Sequence, residues 1–478
     1  MRIRLAVLLA ASLCAEDSWA QSPRVSASLE AALHASSPDR RLTVWVYFRD
    51  KDEIAARSAT ATPRALERRA RRGRLDRTSA FEDLAVPERY VQAVRERVYR
   101  VRHVSRWLNA ASVEADSGEI EALAALEFIS RLDVVRGYRR SADETVVPVS
   151  RSLRRSPAST AIDTIDYGTS FDQLEQIRVP EVHARGFYGE GLVVAVFDTG
   201  FNNLSHPAFR EMTILARRDF VNADDDVADG ADRGNGSHGT ATLSVLGGYQ
   251  PGELVGPAFR ASYLLAKTED TLSETPVEED HWAAAAEWAE SLGADIISSS
   301  LGYLQFDPGF PSYDFDDMNG ETAVTTLAAQ AAAERGVVVV VSNGNAGFNA
   351  AHNTLSAPAD GKLALSVGAV DTFGLRADFS SVGPTFDGRI KPDVMAKGVL
   401  VKVAGPFGSE LRLGDGTSFS APLAAGVAAL VLQVHPDWSV AQVLEVLRAT
   451  SSRAAAPDNG MGWGILDALR AIESVPSQ

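Results

Sequence analysis

The chain has 478 residues, 45% of them apolar and 23% charged, with a formal net charge of −16; this composition excludes wholesale disorder, collagen and a coiled rod, and the length suits one large α/β domain with a smaller companion. The charge is uneven: residues 1–160 hold 28 Lys and Arg against 21 Asp and Glu, net +7, whereas residues 161–478 hold 19 against 42, net −23. The acidic part would repel a phosphate backbone, so no nucleic-acid partner is expected, and the pattern is that of a basic segment attached to an acidic body.

At the amino terminus Arg2 and Arg4 precede the apolar run Leu5 to Leu13, and Ser18-Trp19-Ala20 before Gln21 offers a small-residue cleavage site. Residues 1–20 therefore read as a secretory signal peptide, which points to a secreted or extracytoplasmic protein. The apolar run is too short to span a bilayer, and no membrane anchor is expected. Cys14, the only cysteine, lies inside it, so cleavage would leave no thiol for a disulfide, a thiolate metal site or a cysteine nucleophile.

Residues 41–49 are β-branched and aromatic and predict a strand. The stretch Glu53 to Arg77 is rich in Arg and Ala without large apolar anchors, and reads as a loosely packed helix or an exposed linker. A helix follows from Pro87 to about Arg97, then a strand over Val101 to Val113. Ser117-Gly118-Glu119 opens a second helix, with Ile120, Leu123, Leu126 and Ile129 at helical spacing, and Asp133 to Tyr138 predicts a last short strand. Together these make a small α+β unit over residues 21–138. Residues 139–160 contain five Arg, five Ser and two Pro without periodicity, an exposed linker of the kind proteases cut.

From Gly191 the composition changes. Apolar strands are predicted at Leu192 to Phe197, Ala261 to Ala266, Ala294 to Ile297, Gly336 to Val341 and Leu363 to Val370, with helices over 279–291 and 321–334. Strands apolar on both faces that alternate with helices indicate a parallel sheet covered on both sides. In such folds the site lies beyond the carboxyl ends of the strands, where Asp198, Ser298 to Gly302 and Asn343 to Asn345 all fall.

Three segments carry the chemistry: Asp198-Thr199-Gly200 at a strand end, His238-Gly239-Thr240-Ala241-Thr242 opening a helix, and Gly416-Thr417-Ser418-Phe419-Ser420-Ala421-Pro422 opening another. In that order they resemble the subtilisin-like (subtilase) family of serine endopeptidases over about residues 165–472. The resemblance implies a three-layer α/β fold with a mostly parallel central sheet. It also implies that Ser418 is the nucleophile, His238 the general base and then acid, and Asp198 the carboxylate that orients the imidazole. Asn345, in Ser342-Asn343-Gly344-Asn345-Ala346-Gly347, matches the oxyanion-hole asparagine, with the Ser418 N–H as second donor. Asn343 stands two residues earlier, where the family usually has a small apolar residue, and is the alternative amide. Ser300-Leu301-Gly302 resembles the segment whose backbone pairs with extended substrate.

The same resemblance makes residues 21–138 a propeptide-like inhibitor and folding-assistant domain, residues 139–160 its processing linker and residues 161–478 the catalytic domain. A permanent accessory domain is the alternative for the first of these. Catalysis needs no cofactor. Asp224, Asp225, Asp226, Asp229 and Asp232, and separately Asp314, Asp316 and Asp317, offer oxygen ligands for a structural calcium but lack a fixed loop spacing, and a solvated acidic loop is the plainer reading. Asn203-Leu204-Ser205 and Asn235-Gly236-Ser237 match the glycosylation pattern, and the second, beside His238, is expected to be unmodified. The expected function is a secreted serine endopeptidase made as a zymogen, with protein or peptide substrates and its own propeptide as partners. The competing functions are a catalytically silent peptide-binding protein on the same scaffold and a non-peptide acyl hydrolase. Against the hydrolase, the Gly-x-Ser-x-Gly elbow is absent around Ser418.

Overall fold

The structure, a computed structural model, describes residues 24–51, 61–73, 81–135, 146–148, 165–228, 237–270, 277–304 and 312–476. The signal segment and most of the linker lie outside these.

The amino-terminal unit runs α1 (Ala27–His34), β1 (Leu42–Phe48), α2 (Pro63–Arg72), α3 (Glu88–Arg95), β2 (Arg100–Ser105), β3 (Ala110–Ala115), α4 (Ser117–Ala124) and β4 (Ile129–Val134). Its strands form an antiparallel sheet in the order β2-β3-β1-β4. Alternation along β1 sends Val44, Val46 and Phe48 into a core with Leu29, Val94 and Ile120, and Trp45 to the opposite face.

Three boundaries depart from the sequence reading. Val101 to Val113 is two strands, because Asn109 takes a left-handed φ of 48° in the intervening turn. The helix expected after Ser117-Gly118-Glu119 is α4, started by an Asp116–Glu119 capping box the sequence reading did not name, but it ends at Ala124, and Ile129 opens β4. Residues 63–72, expected to be loose or exposed, form a docked helix in which Arg68, Arg69 and Arg72 are buried.

The carboxyl-terminal unit is built on seven parallel strands: β6 (Val193–Asp198), β7 (Thr213–Asp219), β10 (Ser262–Lys267), β11 (Ile296–Ser299), β12 (Val338–Ser342), β13 (Ala364–Val370) and β14 (Val394–Lys397). Their order is β14-β13-β12-β11-β6-β10-β7. A short hairpin, β8 (Tyr249–Gln250) and β9 (Leu254–Val255), lies between β7 and β10 in sequence. The sequence reading missed β7 and β14. Exposure alternates along β7 at the sheet edge and Arg217 and Arg218 interrupt its apolar run, while β14 is only four residues long.

Helices α5 (Phe171–Glu175) and α6 (Val179–His183) precede β6 in the chain. One sheet face is covered by α7 (Ser237–Gly247) and α10 (Thr417–Val434), the other by α8 (Glu278–Leu292) and α9 (Val324–Glu334). This is the expected three-layer α/β fold, preceded by a small α+β unit. The helix α10 is long and apolar enough to cross a bilayer, yet its residues from Thr417 to Leu432 are all buried in the core. Ala424, Ala425, Ala428 and Ala429 let it lie close to the sheet. Helices α11 (Val440–Thr450), opened by a Ser439–Gln442 capping box, and α12 (Ala468–Glu473) follow.

A second small sheet pairs the hairpin β15 (Val401–Ala404) and β16 (Leu411–Gly414) with β5 (Val146–Pro148), a piece of the expected linker. The linker is therefore not exposed coil throughout. The two units also share an apolar cluster in which Trp45 and Trp107 of the first meet Trp282 and Ala286 of the second.

Just before β14, Asp393 accepts hydrogen bonds from Lys391 Nζ at 2.8 Å and Arg448 Nε at 3.0 Å. Burial alone would raise its carboxyl pKa, but the two cations outweigh burial and hold it below the ordinary value. The stabilisation is accordingly complete above the ordinary carboxylate pKa and is lost as pH falls through the lowered one. Asp393→Asn leaves the buried Lys391 charge uncompensated and should cost about 3–5 kcal/mol in denaturant unfolding against the parent.

Candidate active site

The carboxyl ends of β6, β11 and β12 and the amino ends of α7 and α10 meet at one rim of the sheet. Asp198 is the last residue of β6 and has no solvent exposure. Its Oδ1 lies 2.6 Å from His238 Nδ1 and accepts the Thr199 N–H at 2.8 Å, while Oδ2 accepts from Thr242 Oγ1 at 2.8 Å. Because a carboxylate only accepts, Nδ1 is the protonated nitrogen of His238 in this contact. Gly239 is what lets α7 come so near: a Cβ there would sit 2.3 Å from the Gly200 carbonyl oxygen and 3.1 Å from the Asp198 Cβ.

Ser418 occupies the second position of α10, next to Phe419, whose ring centroid is 5.9 Å from that of His238. Its Oγ donates to the Ser300 carbonyl at 3.1 Å, and Ser300 Oγ donates to the Ser418 carbonyl at 2.7 Å. The second bond has a local cause. In a regular helix the Ser418 carbonyl would accept the N–H of residue 422, but that residue is Pro422, which has none. The strand end after β11 supplies the missing donor.

Asn345 Oδ1 accepts from both the N–H of Thr417, at 2.9 Å, and its Oγ1, at 2.8 Å. This fixes the amide with its oxygen toward Thr417. Asn343 is placed elsewhere, buried, with Nδ2 donating to the Ser381 carbonyl at 2.7 Å. Of the residues expected to bind substrate, Ser300 and Leu301 already use their carbonyls internally, the latter as acceptor of Ser342 Oγ at 3.2 Å, and both are buried. Gly302 is partly exposed.

The structure thus brings Asp198, His238, Ser418, Asn345 and Ser300 to Gly302 to one rim. Tyr303, next to Gly302, is buried and donates to Glu269 Oε1 at 2.7 Å. Thr242 and Thr417 escaped the sequence reading as partners of the site. Thr242 had a visible signal, since it follows His238 by four residues and so shares its helix face.

Asp225 pairs with Arg218, and Asp224 and Asp226 accept backbone N–H groups in their own loop; Asp229 and Asp232 lie outside the described residues. Asp314 and Asp317 likewise bond their own turn. Among the described residues no three His, Cys, Asp or Glu groups gather as a metal-binding set. Asn203 donates its amide to the Gly405 and Gly408 carbonyls and is buried, which is incompatible with a glycan there.

The family described as "Subtilase family" matches residues 189–464, and a domain described as "Peptidase S8 propeptide domain, Bacteroidota" matches residues 43–147. The chain is 32% identical over 309 residues to subtilisin NAT of Bacillus subtilis subsp. natto, covering 63% of this chain and 72% of that one. It is 30% identical over 356 residues to the M-protease of Shouchella clausii, covering 74% and 82%. Fervidolysin from Fervidobacterium pennivorans, a keratinolytic enzyme related to subtilisin, superposes with a TM-score of 0.64 at 20% identity, over 92% of this chain and 62% of that one, a likeness of fold. With most of its length matched by the family and its rim built as described, the chain belongs to the subtilase family of subtilisin-like serine proteases and carries an N-terminal peptidase S8 propeptide domain.

Proposed function

We propose that the protein is a secreted serine endopeptidase made as a zymogen, which cleaves peptide bonds through Asp198, His238 and Ser418. The observation that carries this reading is the 2.6 Å contact between Asp198 Oδ1 and His238 Nδ1 beside the start of the helix that bears Ser418. With Nδ1 protonated, Nε2 is the basic nitrogen. Ser418 Oγ turns from the Ser300 carbonyl toward it, gives up its proton and attacks the scissile carbonyl. Asp198 holds the tautomer and favours the imidazolium that forms. The oxyanion is met by Asn345 Nδ2, aimed by the anchoring of its Oδ1, and by the Ser418 N–H, one of the first-turn donors of α10 that have no partner within the helix. His238 then protonates the leaving amine, and water releases the acyl group by the same steps in reverse. No cofactor enters.

Gly302 offers backbone to an extended substrate. Secretion is supported by the signal-like residues 1–20, and the zymogen reading by the propeptide match at residues 43–147. The family match favours this reading over a silent binder or a non-peptide hydrolase. A fluorophosphonate probe should label the parent and not Ser418→Ala, and casein should be cut in preference to a short-chain ester. An unlabelled parent would indicate a binder, and ester preference a different hydrolase.

Thr242 is a positioning residue in this scheme. Thr242→Val removes one of the bonds that aim Asp198 at His238, so the imidazole is positioned less well while more of the carboxylate's charge faces the imidazolium. Turnover should fall roughly three- to thirtyfold, and the midpoint of the acid limb of kcat/KM against pH should move upward. A loss of rate with an unmoved midpoint would leave Thr242 a merely structural role.

A further inference from the structure

Among the described residues the amino-terminal unit meets the catalytic unit at the apolar face around Trp45 and Trp107, at polar contacts beside it in which Ser105 and Arg106 reach Glu287 and Ser112 reaches Asp280, and at a further polar patch. That patch lies at the far end of the sheet from Ser418. It is formed by α2, whose Arg64, Arg68 and Arg72 recur at four-residue spacing on one helix face, with Arg69 beside them.

The receiving groups are Glu290, in the last turn of α8, and Asp295, just before β11. Arg69 grips Glu290 with two parallel bonds, Nε to Oε1 at 2.7 Å and Nη2 to Oε2 at 2.6 Å, and Arg68 also pairs with Oε1. Arg72 Nη1 reaches Asp295 Oδ1 at 2.9 Å, and Arg64 pairs with Oδ2. Asp295 Oδ2 also accepts the Val193 N–H at 2.9 Å, so this acid is built into the amino end of β6, the strand whose carboxyl end is Asp198. Arg68 further donates to the carbonyls of Ala294, at 2.6 Å, and Arg335, at 3.1 Å, and Arg72 to that of Pro436, at 2.6 Å. Carbonyls past the ends of helices are where a cation is favoured.

Arg68 has 2% and Glu290 no side-chain exposure. Burial would raise the Glu290 carboxyl pKa, but the Arg69 hydrogen bond and the Arg68 charge outweigh it and hold it below the ordinary value. Buried pairs of this kind contribute modest net stability, yet removing one partner leaves an uncompensated charge. The rim therefore selects strongly for planar, forked cations on a helix.

We propose that the Glu290–Asp295 rim is a second docking site, at which α2 keeps the propeptide domain on the catalytic domain after the connecting chain is cut, and that release of α2 from this rim limits the appearance of active enzyme. The inference rests on the zymogen reading above. Its occupant is a named segment of this chain, and the exposed mature rim would accept an arginine-bearing helix of the same spacing.

The test uses the full chain, with cutting read on denaturing gels, retention of the fragment by size exclusion and activity on a peptide substrate. Arg68→Gln/Arg72→Gln should be cut at the parental rate but lose its fragment at least about tenfold faster, with activity appearing correspondingly sooner and depending less on salt. Should that variant fail to fold, Arg64→Gln, at a side chain 41% exposed, should accelerate release at least about threefold. A folded variant that is cut and holds its fragment as long as the parent overturns the second docking site and leaves the zymogen reading intact. A parent that is active with the domain still covalently attached overturns both.

Discussion

Ser418→Ala should give a folded protein that hydrolyses no peptide and never separates its amino-terminal domain. Folding survives because the change removes one hydroxyl whose bond to the Ser300 carbonyl spans 3.1 Å, a loss of about 0.5–1.5 kcal/mol, and because alanine suits the first turn of a helix already lined with alanines. Turnover should fall by roughly a millionfold, the scale known for the nucleophile of subtilisin. Thermal unfolding and peptide hydrolysis measured on the same purified material separate the two claims. Residual turnover above roughly a tenth of the parent, with contaminating protease excluded, would remove Ser418 from the mechanism, since no other group here replaces a lost nucleophile.

Asn345→Leu should lower kcat by roughly 100- to 1000-fold, the range known for the corresponding donor of subtilisin, with a much smaller change in KM. The split follows from geometry. Thr417 occupies the amide oxygen with two bonds, at 2.8 and 2.9 Å, so the nitrogen is directed at charge that exists only as the carbonyl is attacked. Leucine is close in size, so ground-state binding should hardly change. Steady-state kinetics on one peptide substrate decide the matter. The same signature from Asn343→Leu with Asn345→Leu silent would contradict the loop geometry, in which Asn343 faces the Ser381 carbonyl.

The rim residues were readable from sequence because each sits in a short contiguous pattern: an apolar strand that stops at Asp198, a helix with His238 in its first turn, another that starts at Thr417. The docking helix was not, for the opposite reason. Arg68 and Glu290 are 222 positions apart, and a run of arginines without apolar anchors looks solvated until its acids are placed against it. Local patterns misled elsewhere by coincidence of spacing. Ile129 continues the three-residue rhythm of Ile120, Leu123 and Leu126, yet it is the first core position of β4. The turn at Asn109 has neither glycine nor proline to announce it. For Asn343 and Asn345 the letters favoured Asn345 through the resemblance alone, and what they could not show is that the two amides have separate partners distant in sequence, Ser381 and Thr417.

Pro422 bears on how the enzyme would wear out with heat. The opening turn of a helix is ordinarily the part that frays first, and a proline there removes one of its own struts. Here the strut is borrowed: the Ser418 carbonyl hangs from Ser300 Oγ at 2.7 Å, so the aim of Ser418 depends on a neighbouring strand end more than on its own helix. Loosening of the segment after β11 would then misdirect Ser418 while α10, buried over nearly all its length, is still fully wound. Loss of activity on warming should accordingly precede loss of helical signal, and amide exchange at Ser300 to Gly302 should rise along with it.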